Sequence, residues 1–377
     1  MVSSNYAGGV DGPSPRGPAQ AARYPWIVNP AVDFFFVYGG LVWICIAINL
    51  LILGWAVPND ANAGAPMSRA LLIAVLLGQH FFADSHTAAT YMRIYPAEES
   101  RQKFEFFTKY LPLALIPTFF YGLIAPGGAG DLIYLYLLLV FWHYAAQSFG
   151  ISLIYCYKRG YMFKTWERES YRWFIYTMIL FIFARMLTFR QYSPASFFGV
   201  RCPFWGPLPE WVFDLSRLAF ILTAVMFTGV LLKKFVQDKK SPPFPAILIV
   251  STVALIGFSQ GTLNSLCWMY GPAFFHGSQY IAVSMAYYLK ERGLPEGAPP
   301  SAVAALFWKQ STFQYLGLIM LSGVFIYVGI PHFFQQIGYD FALVAAVCLA
   351  VFNFHHFATD AAIWRLRDPK QRQILLA

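Results

Sequence analysis

Residues 131–160 read DLIYLYLLLVFWHYAAQSFGISLIYCYKRG, and their reading decides the fold. No Asp, Glu, Lys or Arg falls between Asp131 and Lys158, and no proline interrupts the run. As a helix the run rises about 39 Å at 1.5 Å per residue, more than the ~30 Å of hydrocarbon in a bilayer. It predicts a transmembrane helix. Near its middle stand His143 and, one helical turn later, Gln147.

Similar stretches recur along the 377 residues, at roughly 34–57, 68–92, 110–126, 172–190, 210–232, 244–263, 271–289, 312–331 and 341–364. With 132–157 they make ten spans. The chain is 58% hydrophobic and 12% charged, with a mean hydropathy of +0.51, far from the mix of a soluble domain. The expected fold is an all-α polytopic membrane helix bundle of about ten transmembrane helices, with both termini cytoplasmic.

Charge supports that orientation. The segments assigned to the cytoplasmic side hold 22 of the 27 Lys and Arg residues, the outer segments hold Arg69, Arg190 and Arg201, and Arg185 and Arg217 fall within spans. This is the positive-inside bias. It accounts for the formal net charge of +9 without nucleic acid as a partner. Residues 1–32 lack an apolar core and are expected as a loosely ordered cytoplasmic tail. Residues 33–366 form a single membrane domain, and 367–377 a short basic cytoplasmic tail. The expected location is a bacterial inner (cytoplasmic) membrane. The five cysteines show no CxxC spacing, which argues against a thiolate site. Cys202 and Cys267 both map to the outer side, where pairing is open.

Six of the seven histidines lie inside spans, in four clusters: His80-Phe-Phe-Ala-Asp84-Ser-His86, His143-Tyr-Ala-Ala-Gln147, His276-Gly-Ser-Gln279 and His355-His356-Phe-Ala-Thr-Asp360. Ionisable side chains are costly in a bilayer and mark pathways or reactive sites, and imidazole is the commonest metal ligand. His80, His143 and His276 lie 13, 15 and 14 residues before the inner basic residues Arg93, Lys158 and Lys290. That is about 20–22 Å of helix rise. His355 and His356 sit at roughly 14 Å, and His86 at ~10 Å, by the same rise.

Rotational phase sorts them further. At 100° per residue His80 faces with Asp84, His143 with Gln147 and His356 with Asp360, and Gln279 lies 60° from His276. His86 points 120° away from His80, so it joins the same cluster only if its helix is distorted. A lone intramembrane histidine is usually an interhelical hydrogen-bond donor, but coincidence in depth, direction and polar partner favours a metal site. His80, His143, His276 and His356 are the expected primary ligands, with His86 and His355 completing a site of one or two ions. Asp84 and Asp360 are expected as further ligands or orienters, and Gln147 and Gln279 as hydrogen-bonding support. His332, beside Pro331, reads as a surface residue. Arg185, Glu210, Asp214 and Arg217 read as salt bridging at the membrane edge.

Histidine and carboxylate ligation without thiolate suits iron, zinc, copper or manganese. In ligand type and depth the pattern is similar to the membrane desaturases and hydroxylases, which use two irons, and to the bacterial β-carotene dioxygenases, which use one. The HxxxH and HxxHH boxes of the first group are absent, and the spacings do not align with the second. The leading expectation is a metal-dependent membrane oxidoreductase using non-haem iron and O2 on a lipid, fatty or isoprenoid substrate. A cytoplasmic electron donor would be a further partner. The alternatives are an intramembrane zinc hydrolase of a lipid, a haem-binding electron-transfer or cofactor-holding subunit, and a transporter or proton relay.

Overall fold

The computed structural model describes residues 24–48, 51, 73–197, 199–259, 270–292, 294, 298–299, 301–366 and 368–376. Residues 1–23 of the N-terminal tail, Arg69, Cys267, Arg367 and parts of the first, second and seventh predicted spans lie outside the described residues. Apart from a two-stranded hairpin (Ser196–Phe197 with Val200–Arg201), the secondary structure among the described residues is helical.

In chain order the helices are α1 (Pro30–Val37), α2 (Gly40–Ile48), α3 (73–94), α4 (Glu98–Lys103), α5 (Phe106–Ile124), α6 (Gly128–Lys158) and α7 (Thr165–Thr188). They continue with α8 (Glu210–Asp238), α9 (Phe244–Ser259), α10 (270–292), α11 (Ala302–Leu306), α12 (Gln310–Gln336), α13 (Phe341–Ile363) and α14 (Pro369–Leu376). Five of these, α5, α6, α8, α12 and α13, are long and apolar enough to cross a membrane; α1 and α2, bent by 64°, make a sixth if they count as one broken span.

Burial separates centre from rim. In α6 and α13, 67% and 61% of the apolar window is buried, against 11% in α5 and α8. An apolar helix so exposed suits a lipid-facing position at the rim of a membrane bundle. α6 packs against α5, α7, α9 and α13 and forms the spine. α7 and α8 lie along each other, with Tyr171 stacked on Phe227 (centroids 4.6 Å) and Lys234 bridged to Glu167 (3.2 Å) at one end. At the other end the Arg185 guanidinium donates to the Phe258 and Gly257 carbonyls at the close of α9, while Arg217 pairs with exposed Asp214 (3.0 Å). Arg185 thus serves the last carbonyls of a helix.

The approach to α1 is pinned rather than loose. The buried Asp33 carboxylate accepts from the backbone N–H of Ile27 (2.7 Å) and Val28 (2.9 Å) and from the Tyr155 hydroxyl of α6 (2.6 Å). At the far end α14 turns back on the bundle and buries Gln371 and Leu375, against α10 and α6.

Among the π turns of the described residues are those of α1 at Asp33–Val37, α3 at Gln79–Asp84, α5 at Phe106–Tyr110, α10 at Pro272–Gly277 and α12 at Phe325–Gly329. Such wide turns insert a residue and occur often at functional sites. Those of α3 and α10 pack against each other, and glycine permits it. A Cβ on Gly277 would stand 2.5 Å from the Phe82 carbonyl oxygen and 2.8 Å from the Ala83 nitrogen.

Candidate metal centre

α3, α6, α10 and α13 each send one imidazole to a common point. One ligand atom from each of His86, His143, His276 and His356 lies within 4.8 Å of all the others. The rings close a quadrilateral: centroids are 4.9 Å apart for His86–His276, 4.7 Å for His276–His143, 4.7 Å for His143–His356 and 4.6 Å for His356–His86. Each pair meets edge to face. All four residues are buried, His356 completely.

The inward atoms have no hydrogen-bond partner. Nε2 of His86, His143 and His356 and both nitrogens of His276 are buried without a hydrogen bond. Leaving such a group unsatisfied costs about 1–3 kcal/mol, and native structures rarely cluster them. One from each ring, four in all, match what a cation would satisfy. With metal–nitrogen bonds of about 2.0–2.1 Å, ligand nitrogens span at most ~4.2 Å, so the four need draw in only slightly.

On two of the four rings the outward atom is held. His86 Nδ1 bonds to the Ala83 carbonyl in the π turn. His356 Nδ1 lies 2.7 Å from Thr90 Oγ1. Thr90 in turn donates to Asp360 Oδ1 (3.1 Å) and contacts the Tyr280 hydroxyl (2.7 Å). Tyr280 also donates to Asp360 Oδ1 (2.9 Å), and Trp364 Nε1 donates to Tyr280 (3.2 Å). With the threonine proton directed to the carboxylate, Thr90 accepts from His356 Nδ1–H, which leaves the Nε2 lone pair facing the cluster. Fixing a ligand histidine's tautomer through its other nitrogen is the usual support of a metal site. Asp360 Oδ2 remains, 3.6 Å from His356 Nε2 and 3.8 Å from His143 Nε2. It is the one carboxylate oxygen at the cluster among the described residues.

The other histidines go elsewhere. His80, expected among the primary ligands, stands outside the group: its Nδ1 faces Asp84 Oδ2 (3.6 Å), and Gln79 holds the other oxygen of Asp84 (3.2 Å). The π turn shifts the phase of everything after it, but His80 and His86 still occupy different faces of α3, and His86 is the one that enters. His355 turns away from its neighbour and donates from Nε2 to the Phe107 carbonyl (2.7 Å). Gln147 and Gln279 bond to each other (2.8 Å), and Gln279 to the Val37 carbonyl (2.8 Å). They tie α6, α10 and α1 together beside the cluster. His332 pairs with Gln335 at an exposed position.

Thr90, Tyr280 and Trp364 went unread in the sequence, although a signal was there. Thr90 follows His86 by four residues, Tyr280 follows His276 by four, and Trp364 follows Asp360 by four. Compared with family models, with curated proteins and with solved structures, the chain has no match in any of the three.

Proposed function

We propose that this protein is an integral membrane, metal-dependent oxidoreductase in which His86, His143, His276 and His356 hold one non-haem iron ion beside a lipid, fatty or isoprenoid substrate. The observation that carries the reading is the convergence of four buried imidazoles whose inward nitrogens lack any hydrogen bond, inside a bundle of apolar helices. Because His80 and His355 bond elsewhere, the donor set suits one ion rather than two.

Donor number favours iron over the hydrolytic alternative. Catalytic zinc keeps three protein ligands and one open position, and four close its tetrahedron. A six-coordinate iron held by four imidazoles keeps two positions for dioxygen chemistry. A haem is a poor fit, since rings packed at 4.6–4.9 Å leave no width for a macrocycle among them. Asp360 Oδ2 would offset the cation's charge and can hold a proton beside it.

A cavity of about 620 Å³ supports an apolar substrate. Tyr91, Leu115, Phe119, Phe325, Phe352 and His355 line it, so it shares α3 and α13 with the cluster, one residue from Thr90 and from His356. Its size suits a drug-sized or lipid-sized ligand. The partition of basic residues supports ten spans with both termini cytoplasmic, and a bacterial inner membrane as the location.

Elemental analysis of gently purified protein tests the reading. Iron near one equivalent is expected, and His86→Ala, His143→Ala, His276→Ala or His356→Ala should each lower it at least tenfold. His80→Ala and His355→Ala should not. Protein that binds no transition metal, or whose occupancy follows His80 rather than His86, would overturn the assignment.

A further inference from the structure

Tyr280 touches the cluster on one side and Trp364 on the other. Its ring centroid is 5.4 Å from that of His356 and 5.7 Å from that of His86. The Trp364 ring follows at 5.8 Å, and its indole N–H donates to the Tyr280 hydroxyl (3.2 Å). Trp364 is partly exposed just past the end of α13, beside exposed Arg365 and the Lys103–Asp368 ion pair (2.6 Å). The oxidisable rings thus form a continuous path from the buried histidines to the basic end of the bundle.

We infer that Tyr280 and Trp364 form an electron relay between this face and the metal centre, and that the reaction consumes electrons from a one-electron donor docking there. The inference rests on the oxidoreductase reading. Indole and phenol are the side chains most readily oxidised by one electron, and van der Waals separation of their rings makes each transfer fast. The balance closes over two transfers. Tyr280 gives one electron to an oxidised centre and its hydroxyl proton to Asp360 Oδ1, 2.9 Å away. Trp364 then gives one electron to the tyrosyl radical, and the proton returns from Asp360. The external donor, a protein carrying a one-electron centre, restores Trp364 and is itself oxidised by one electron. No atom is transferred.

Packing alone does not require this chemistry. Tyr315 and Tyr288 also stack, at 4.9 Å, in the same apolar cluster as Tyr280 and Trp364. That pair supplies the control.

The test drives the relay backwards. A ruthenium photo-oxidant is attached through Arg365→Cys, next to Trp364, and flash oxidation is followed by transient absorption. In metal-free protein a tryptophan radical is expected to appear and decay into a tyrosyl radical; Tyr280→Phe should abolish the decay and Trp364→Phe the first radical. In protein loaded with Fe2+, oxidation of the iron should slow at least tenfold in Trp364→Phe and in Tyr280→Phe, and stay unchanged in Tyr315→Phe. Variants that still bind Fe2+ as the parent does exclude misfolding as the cause. Radicals or iron oxidation that persist at the parent rate in Trp364→Phe would overturn the relay. Failure of the parent to bind Fe2+ would overturn the function above, while the metal-free flash experiment still decides the relay.

Discussion

Replacing Gly277 by alanine tests whether the two π turns set the geometry of the histidine cluster. The added Cβ would stand 2.5 Å from the Phe82 carbonyl oxygen, 2.6 Å from the Phe82 carbonyl carbon and 2.8 Å from the Ala83 nitrogen. Comfortable separations between such atoms are about 3.5–4.0 Å, so α3 and α10 must part by roughly 1 Å. All three neighbours are backbone, which cannot rotate aside, and overpacking of this kind costs about 1–3 kcal/mol. The displacement reaches two of the four imidazoles directly. His276 precedes Gly277, and the Ala83 carbonyl anchors His86 Nδ1. Binding constellations need placement to about 0.5 Å, so a 1 Å shift should weaken metal binding by about 10–100-fold, the scale seen when ligands lose their orienting partners. The assay is an Fe2+ competition titration in mild detergent beside a thermal melt. Gly229→Ala is the control: it lies within α8 with nothing within 4 Å of its added Cβ, and alanine there should be neutral or stabilise by up to about 1 kcal/mol. If Gly277→Ala binds metal as tightly as the parent, or Gly229→Ala weakens it equally, the close approach is not what builds the site.

Thr90→Val keeps shape but removes the hydroxyl that joins His356 Nδ1 to Asp360 Oδ1. It should cost about 1–3 kcal/mol through the stranded polar atoms and weaken metal binding about tenfold or more, while Thr90→Ser should retain both; titration of the three proteins decides. At the basic end, the Lys103 ammonium holds the Asp368 carboxyl below the usual carboxylate range, with help from the backbone N–H of Gln371. Because the folded state depresses this pKa, the contribution is fully present above the usual carboxylate range and disappears as pH falls through the lowered value. Limited proteolysis should therefore find α14 more easily cleaved in acid, and Asp368→Asn should already be labile at neutral pH; equal cleavage of both proteins at every pH would refute it.

Much of this architecture was legible because a bilayer imposes a simple rule. Backbone polar groups must pair within the helix, so length and apolarity of the 131–160 stretch suffice to predict α6, and it was found as one unbroken helix. The histidine clusters were legible for the same reason, since lipid makes polar residues conspicuous. What failed was phase. Counting at 100° per residue places His80 with Asp84, correctly, because they share a single turn. It cannot choose between His80 and His86, because that choice depends on the wide turn at Gln79–Asp84, which a count at a fixed 100° per residue does not contain. The same holds for Gln279. Counting from His276 made it a supporting partner of the histidine, whereas it bonds to Gln147 and the Val37 carbonyl.

One regularity connects the parts. In each of the four helices the residue four positions after the entering histidine is polar: Thr90, Gln147, Tyr280 and Asp360. Thr90 and Tyr280 both donate to Asp360 Oδ1, Thr90 also meets His356 Nδ1, and Gln147 bonds to the main chain at His276 (3.4 Å). A turn of helix below the four open nitrogens therefore lies a layer of hydrogen-bonded side chains. The lower layer fixes helix rotation without help, so it can hold the upper one in place while its nitrogens remain unpaired. Those nitrogens would otherwise oppose assembly at about 1–3 kcal/mol each. A bound cation removes that opposition, so metal binding and packing of α3, α6, α10 and α13 should be thermodynamically coupled.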